Sequence, residues 1–212
     1  MLGGLAARAS LWNRRRKLAL FLDTIRPGPE TRVVDVGVGD TPFGTEPGVA
    51  ATHNFFEALY PWPEQITAVS DVPLPNFAQE FPTITTVTAS GTDLPFEDDA
   101  FDVAFSNAVV EHVGSRDEQR RFVAELCRVA PRVFLSTPNR WFPLETHTLV
   151  PFVHWLPRPV AGRIFGALGK DGWKRVDLLT KRELLELFPP SVEARVVESR
   201  ITISVAATRA TG

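Results

Sequence analysis

Apolar positions along this chain switch repeatedly between helical and strand spacing, and the switches lay out a regular series of elements. Leu18, Leu22 and Ile25 share one face of an amphipathic N-terminal helix, which leaves the charges of Arg14, Arg15, Arg16 and Lys17 in solvent. Arg26-Pro27-Gly28-Pro29 then breaks the pattern, and a β-branched run predicts a first strand over about residues 31–36. Pro42, Gly44, Pro47 and Gly48 delay the next helix to about 49–59, and Ile66 to Ser70 reads as a second strand. The proline-rich stretch 72–82 leaves room for a short helix or loop, and third and fourth strands are expected over 83–89 and 101–106.

The clearest helix is predicted over 116–130, where Val123, Leu126, Cys127 and Ala130 recur at i, i+3, i+4 and i+7. A fifth strand follows over 132–137. Thr180 with Glu183 three residues on forms a capping box that opens a short helix to about residue 188. Two closing strands over 192–197 and 201–208 have almost nothing between them. Strands alternating with helices and ending in such a pair imply a parallel sheet with one antiparallel partner.

Composition narrows the class. A chain of 212 residues, 44% hydrophobic and 23% charged, is the size and make-up of one soluble globular domain. Net charge of −2 supplies no global field that would draw the chain to nucleic acid or anionic lipid, and nucleic acid is not expected as a partner. The single cysteine, Cys127, cannot pair internally and reads as core, which suits a reducing cytoplasm. The basic cluster before Leu18-Ala19-Leu20-Phe21-Leu22 superficially resembles a secretion signal. Asp23 interrupts the apolar run, however, and Arg26-Pro27 stands where small cleavage-site residues belong. No apolar stretch approaches the ~20 residues of a membrane span.

The chemistry concentrates in a few segments. The first, Val33-Val34-Asp35-Val36-Gly37-Val38-Gly39-Asp40, ends a buried strand in two glycines that permit a tight turn and close approach to a ligand. Then come Ile66 to Asp71, Leu94-Pro95-Phe96 running on to Phe101-Asp102-Val103, and Ser106-Asn107 running on to Glu111-His112-Val113. In this order and spacing they resemble the class I S-adenosylmethionine-dependent methyltransferases, type 11 small-molecule group, over roughly residues 30–140. The resemblance implies a Rossmann-like α/β fold with a mostly parallel seven-stranded sheet, one strand antiparallel and helices on both faces. It also implies S-adenosylmethionine as cofactor and transfer of its methyl group to a small molecule.

Under that resemblance, the backbone at Gly37 and Gly39 holds the cofactor's carboxylate and Asp35 accepts from its ammonium. Thr41 stands where a third glycine is usual. The ribose falls to Ser70 or Asp71, with the carboxylate of Asp71 the better double acceptor. The adenine falls to Ser90 and Gly91, where relatives often carry an aspartate. Asn107 either faces the sulfonium methyl or shapes a turn. Some relatives bind a divalent metal through Glu-x-x-Glu-His. Here Ala108 replaces the first acid, so Glu111 and His112 alone predict no metal. His112 is a candidate general base, or simply a hydrogen-bonded residue at a helix start.

Residues 138–175 form an aromatic and proline-rich insertion, read as a lid or cap over the acceptor within a single 1–212 domain. Arg140, Trp141, Glu145 and His147 are the candidate substrate contacts, His147 also a candidate base, with His154 nearby. An apolar acceptor and O-methylation follow as expectations, with peripheral membrane contact a lesser one. The altered Ser70 and Ser90 leave a non-catalytic scaffold as the rival. A preformed, cofactor-sized cleft beside Gly37 would favour the enzyme.

Overall fold

The computed structural model describes residues 2–40 and 54–209, with side chains from Trp12 onward other than that of Asp171. Seven strands form one sheet in the order β3-β2-β1-β4-β5-β7-β6. The strands are β1 (Val33–Val36), β2 (Ile66–Ser70), β3 (Thr85–Thr88), β4 (Val103–Asn107), β5 (Arg132–Pro138), β6 (Val192–Ser199) and β7 (Thr202–Arg209). β1 to β5 run parallel and β7 pairs antiparallel with both β5 and β6, so one strand is reversed. This is the Rossmann-like sheet that the sequence predicts.

The helices are α1 (Leu2–Ile25), α2 (Phe55–Leu59), α3 (Pro75–Glu80), α4 (Arg116–Val129), α5 (Arg158–Ala167) and α6 (Lys181–Leu185). The start expected for α2 lies outside the described residues. Both α4 and α6 open with a complete capping box, from Ser115 with Glu118 and from Thr180 with Glu183. These boxes satisfy backbone N–H groups that the first turn leaves unpaired.

The period-two alternation of the strands sorts their side chains onto two cores. Val34, Val36, Val69 and Leu135 face α4 and α6, together with Phe122, Leu126 and Leu184. Val33, Ile66, Ala68, Phe105 and Phe134 face α1 and α2. On that second side Phe56 stacks on Phe105 at 3.9 Å, and Phe21 meets both Phe105 and Phe134 edge-on at 5.5 Å. Phe21 is wholly buried, so α1 is anchored to the sheet by an aromatic cluster.

The expectation that every α1 cation is solvated fails at Lys17. Its Cα lies on the buried face beside Leu18, and its ammonium reaches the tip of β4 to donate to Asn107. Cys127 is core as expected, and burial pushes its thiol up to about 12. No helix among the described residues is long and apolar enough to cross a membrane.

Within the insertion, Ala161 and Phe165 of α5 pack with Trp173, Val176 and Leu178 into a small separate core. His154 is buried, and its Nε2 lies 3.1 and 3.0 Å from the carbonyls of Arg140 and Phe142, a staple for the loop. Trp141, Leu149 and Phe152 remain exposed at 60%, 66% and 54%.

Candidate active site

Parallel pairing of β1 to β4 brings their carboxyl ends to one edge. The chain leaves β1 for β2 on one side while β4 lies on the other, the switch point where open sheets bind ligands. A cleft of about 390 Å³ occupies this crevice, lined by Gly37, Ser70, Asp71, Ser90, Gly91 and His112 among others. That volume lies within the ~300–1,000 Å³ usual for small-molecule sites.

Two glycines make the space. Gly37 has φ +102°, and a Cβ there would come within 2.1 Å of a Val109 methyl. A Cβ on Gly91 would lie 2.6 Å from the Phe122 ring. The turn after β1 is pinned by Gly37 and Val38 N–H, which both donate to the Val69 carbonyl at 2.9 and 3.1 Å. Those two amides are therefore committed to the sheet, and a ligand carboxylate would have to take donors further along the loop. Gly39 is exposed and its carbonyl accepts from the Asn54 amide at 3.1 Å, while Thr41 lies outside the described residues.

Ser70 and Asp71 both line the cleft, Ser70 buried and Asp71 exposed, so neither is excluded from a ribose by position. Opposite them, Ser90 Oγ and Thr92 Oγ1 lie 2.8 Å apart and present a hydroxyl pair.

Asp35 and Asn107 fall on the other face because alternation aims them the same way as Val33 and Phe105. There Asp35 meets Glu57 of α2 in a second, narrow cavity shared with Gly37 and Asn107. Burial raises both carboxyls, Asp35 well above its usual range and Glu57 to about 7. The charge of Glu57 and its hydrogen bond to Asp35 add to burial in raising Asp35. A cationic group arriving there would let Asp35 ionise as well.

Beyond the main cleft stands a cluster of ionisable groups. Glu111 and His112 lie on the single 3-10 turn Val110–His112 after β4, and Glu145 and His147 come from the insertion. Glu111 is 1% exposed; its Oε2 accepts from Thr137 at 2.9 Å, and its Oε1 has no hydrogen-bond partner. That orphan oxygen lies 4.0 Å from His112 Nε2 and 3.8 Å from His147 Nε2.

Glu145 is buried yet ionised. Burial would raise its pKa, but hydrogen bonds from the His147 ring (2.7 Å), the Thr148 amide and the His147 amide hold it down at about 2. Burial would likewise lower His147, but its bond to Glu145 and the charges of Glu111 and Glu145 prevail and raise it. Lys17 borders this region; burial and the repulsion of Arg14 bring its ammonium down to about 8, against the pull of Glu111 and Glu198. Arg140 and Trp141 lie outside the described cleft lining: Arg140 reaches 3.9 Å from Glu183, and its guanidinium stands 6.0 Å from the Trp141 ring.

Comparison with known proteins agrees with this geometry. A family model described as a methyltransferase domain matches residues 48–132. Over that stretch the chain matches a methyltransferase domain. That stretch includes β2, β3 and β4, and hence three of the four strand tips that bound the cleft.

The methyltransferase fold recurs in solved structures. The YcgJ protein from Bacillus subtilis matches with TM-score 0.61 at 16% identity, covering 93% of this chain and 100% of that one. A SAM-dependent methyltransferase from Thermotoga maritima, titled a possible histamine N-methyltransferase, matches with TM-score 0.58 at 16% identity, covering 94% and 90%. The 1,6-didemethyltoxoflavin-N1-methyltransferase of Burkholderia thailandensis, solved with S-adenosylhomocysteine, matches with TM-score 0.55 at 17% identity, covering 95% and 81%. No curated protein sequence matches this chain.

Sequence reasoning passed over three features of the methyltransferase: Glu57 as the partner of Asp35, Lys17 at Asn107, and the meeting of Glu111 with His147. Only Lys17 left a signal. It adjoins Leu18 on a helix whose apolar face the sequence already marks.

Proposed function

We propose that this methyltransferase transfers the methyl group of S-adenosylmethionine to an oxygen of a small, largely apolar acceptor, in the cytoplasm. The observation that carries the reading is the preformed cleft at the switch point, which Gly37 and Gly91 keep open. An open cleft also favours an enzyme over a scaffold. In this reading Ser70 or Asp71 takes the ribose, Ser90 and Gly91 the adenine, and the loop at Gly39 the carboxylate. Asp35 with Glu57 takes the ammonium.

The methyl carbon is already activated by the sulfonium, so the protein chiefly aligns the acceptor and excludes water. An acceptor hydroxyl placed at the His112 side of the cleft would meet the cluster of Glu111, His112 and His147, whose polar groups help to draw off its proton, which favours oxygen as the target. Residues 138–175 act as the lid; the exposed Trp141, Leu149 and Phe152 give it the apolar surface that suits a hydrophobic acceptor.

Incubation of the full chain with methyl-labelled cofactor and fractionated small-molecule extracts tests the reading. Label should pass into organic-soluble products whose new methyl resists acid as an ether or yields to base as an ester. Label recovered only in aqueous amines would overturn the choice of oxygen and of an apolar acceptor.

A further inference from the structure

We propose that Glu111, His112 and His147 form a binding site for one divalent cation of the zinc class, open to the acceptor end of the cleft. Glu111 Oε1 and the two imidazoles each offer one ligand atom, and these atoms lie within 4.8 Å of one another. Bonds of about 2.0–2.1 Å to a tetrahedral ion put ligand atoms roughly 3.3 Å apart. The present 3.8 and 4.0 Å from Glu111 Oε1 to the imidazoles need a contraction of well under an ångström on each. The two rings stand at 88° with centroids 5.0 Å apart, so their nitrogens converge without stacking.

Two further observations point to an ion rather than to mere packing. Glu111 Oε1 is fully buried, has no hydrogen-bond partner and faces both imidazoles. An orphan oxygen at that depth is costly unless a cation or proton completes it. The second shell is also in place. Glu145 Oε1 lies 2.7 Å from His147 Nδ1, which fixes the tautomer that leaves Nε2 free to ligate, and Thr137 holds Glu111 Oε2. Carboxylate–histidine–metal relays of this kind are the usual support of a zinc ligand.

Two imidazoles and one carboxylate are a donor set of catalytic zinc sites, in which the fourth position stays open. His112 lines the cleft and its side chain is 42% exposed, so that position faces the acceptor. His147, from the insertion, supplies the third ligand atom.

The role of the ion rests on the proposed transfer to oxygen. A hydroxyl coordinated at the open position gives up its proton to water more readily. Its oxygen lone pair then forms the bond to the methyl carbon, and the carbon–sulfur electron pair leaves with sulfur.

Metal binding is testable without cofactor or acceptor. The untagged full chain is stripped with chelator and titrated with Zn2+ against a chelating dye, and with Co2+ by visible absorption. The expected result is one tight equivalent, with intense bands of four- or five-coordinate cobalt. Glu111→Gln and His147→Ala should each weaken Zn2+ by about 100-fold or more, and Glu145→Gln by about 10–100-fold. His112→Ala, at a partly exposed ring, repeats the test should a variant at Glu111 fail to fold.

S-adenosylhomocysteine binding by the same variants separates the two claims. Metal lost with the homocysteine product still bound fits the proposal. Absence of saturable Zn2+ binding, or equal affinity in wild type and variants, overturns the site while the cofactor reading stands. Metal bound without the product would instead defeat the cofactor reading alone.

Discussion

The two ends of the active-site crevice are built from opposite materials. The end beside Gly37 is walled by glycines, small apolar side chains such as Val36 and Val69, and hydroxyls, with Asp71 exposed at its rim. The end beside His112 is a knot of ionisable groups from three distant segments, the buried Lys17, Glu111 and Glu145 with the exposed His112 and His147. A ligand that never changes can be held by shape, and shape comes from local chain geometry. A reacting atom needs charge and proton control, and those come from tertiary assembly.

The largest effect should follow from filling the first end. Gly37→Val places a branched side chain at φ +102° and against Val109, so it should cost about 3–4 kcal/mol in denaturant unfolding and abolish cofactor binding. A variant of unchanged stability would mean that the turn relaxes freely and that the cleft is not rigid.

The Asp35–Glu57 pair, in the second cavity beside Gly37 and Asn107, sharpens the contrast through pH. The folded pKa of Glu57 is raised from 4.5 to about 7, so its contribution to stability is present below pH 4.5 and is lost as pH rises through about 7. Glu57→Gln removes that loss and should stabilise the protein by about 1–2 kcal/mol at pH 8 with little change at pH 4.5, read from thermal unfolding at both. Equal effects at the two pH values would show that the pair is not short of positive charge.

Asp35→Ala should weaken cofactor binding by about tenfold, or about 1.4 kcal/mol, through loss of a charge-assisted contact. An unchanged affinity would make Asp35 structural only. The smallest effect divides the two ribose candidates. Asp71→Ala should lower affinity about threefold to tenfold and Ser70→Ala less, since a hydroxyl offers fewer acceptor sites. The reverse order would assign the ribose to Ser70.

The contrast also explains what could be read from the chain. β2 matches its expected bounds of Ile66 to Ser70, because a dense apolar run closed by turn residues is a local signal. α4 starts at Arg116 as expected, because its face and cap are local too. Lys17 departs from the solvated expectation because residue type says nothing of its place on the helix, and only the partly buried acceptor at Asn107 reveals the exception. The approach of His147 to Glu111 joins residues 36 positions apart along loop and strand, and no periodicity reports it. The strands and caps that frame the site were therefore legible, and the meeting of its ionisable groups was not.

Isothermal calorimetry of the full chain with S-adenosylmethionine and S-adenosylhomocysteine tests the central claim, that the cleft beside Gly37 is a cofactor site. The account predicts one-to-one micromolar binding that vanishes in Gly37→Val and survives in His147→Ala. A folded wild-type chain that binds neither compound, or a Gly37→Val variant that binds as well as wild type, would contradict it.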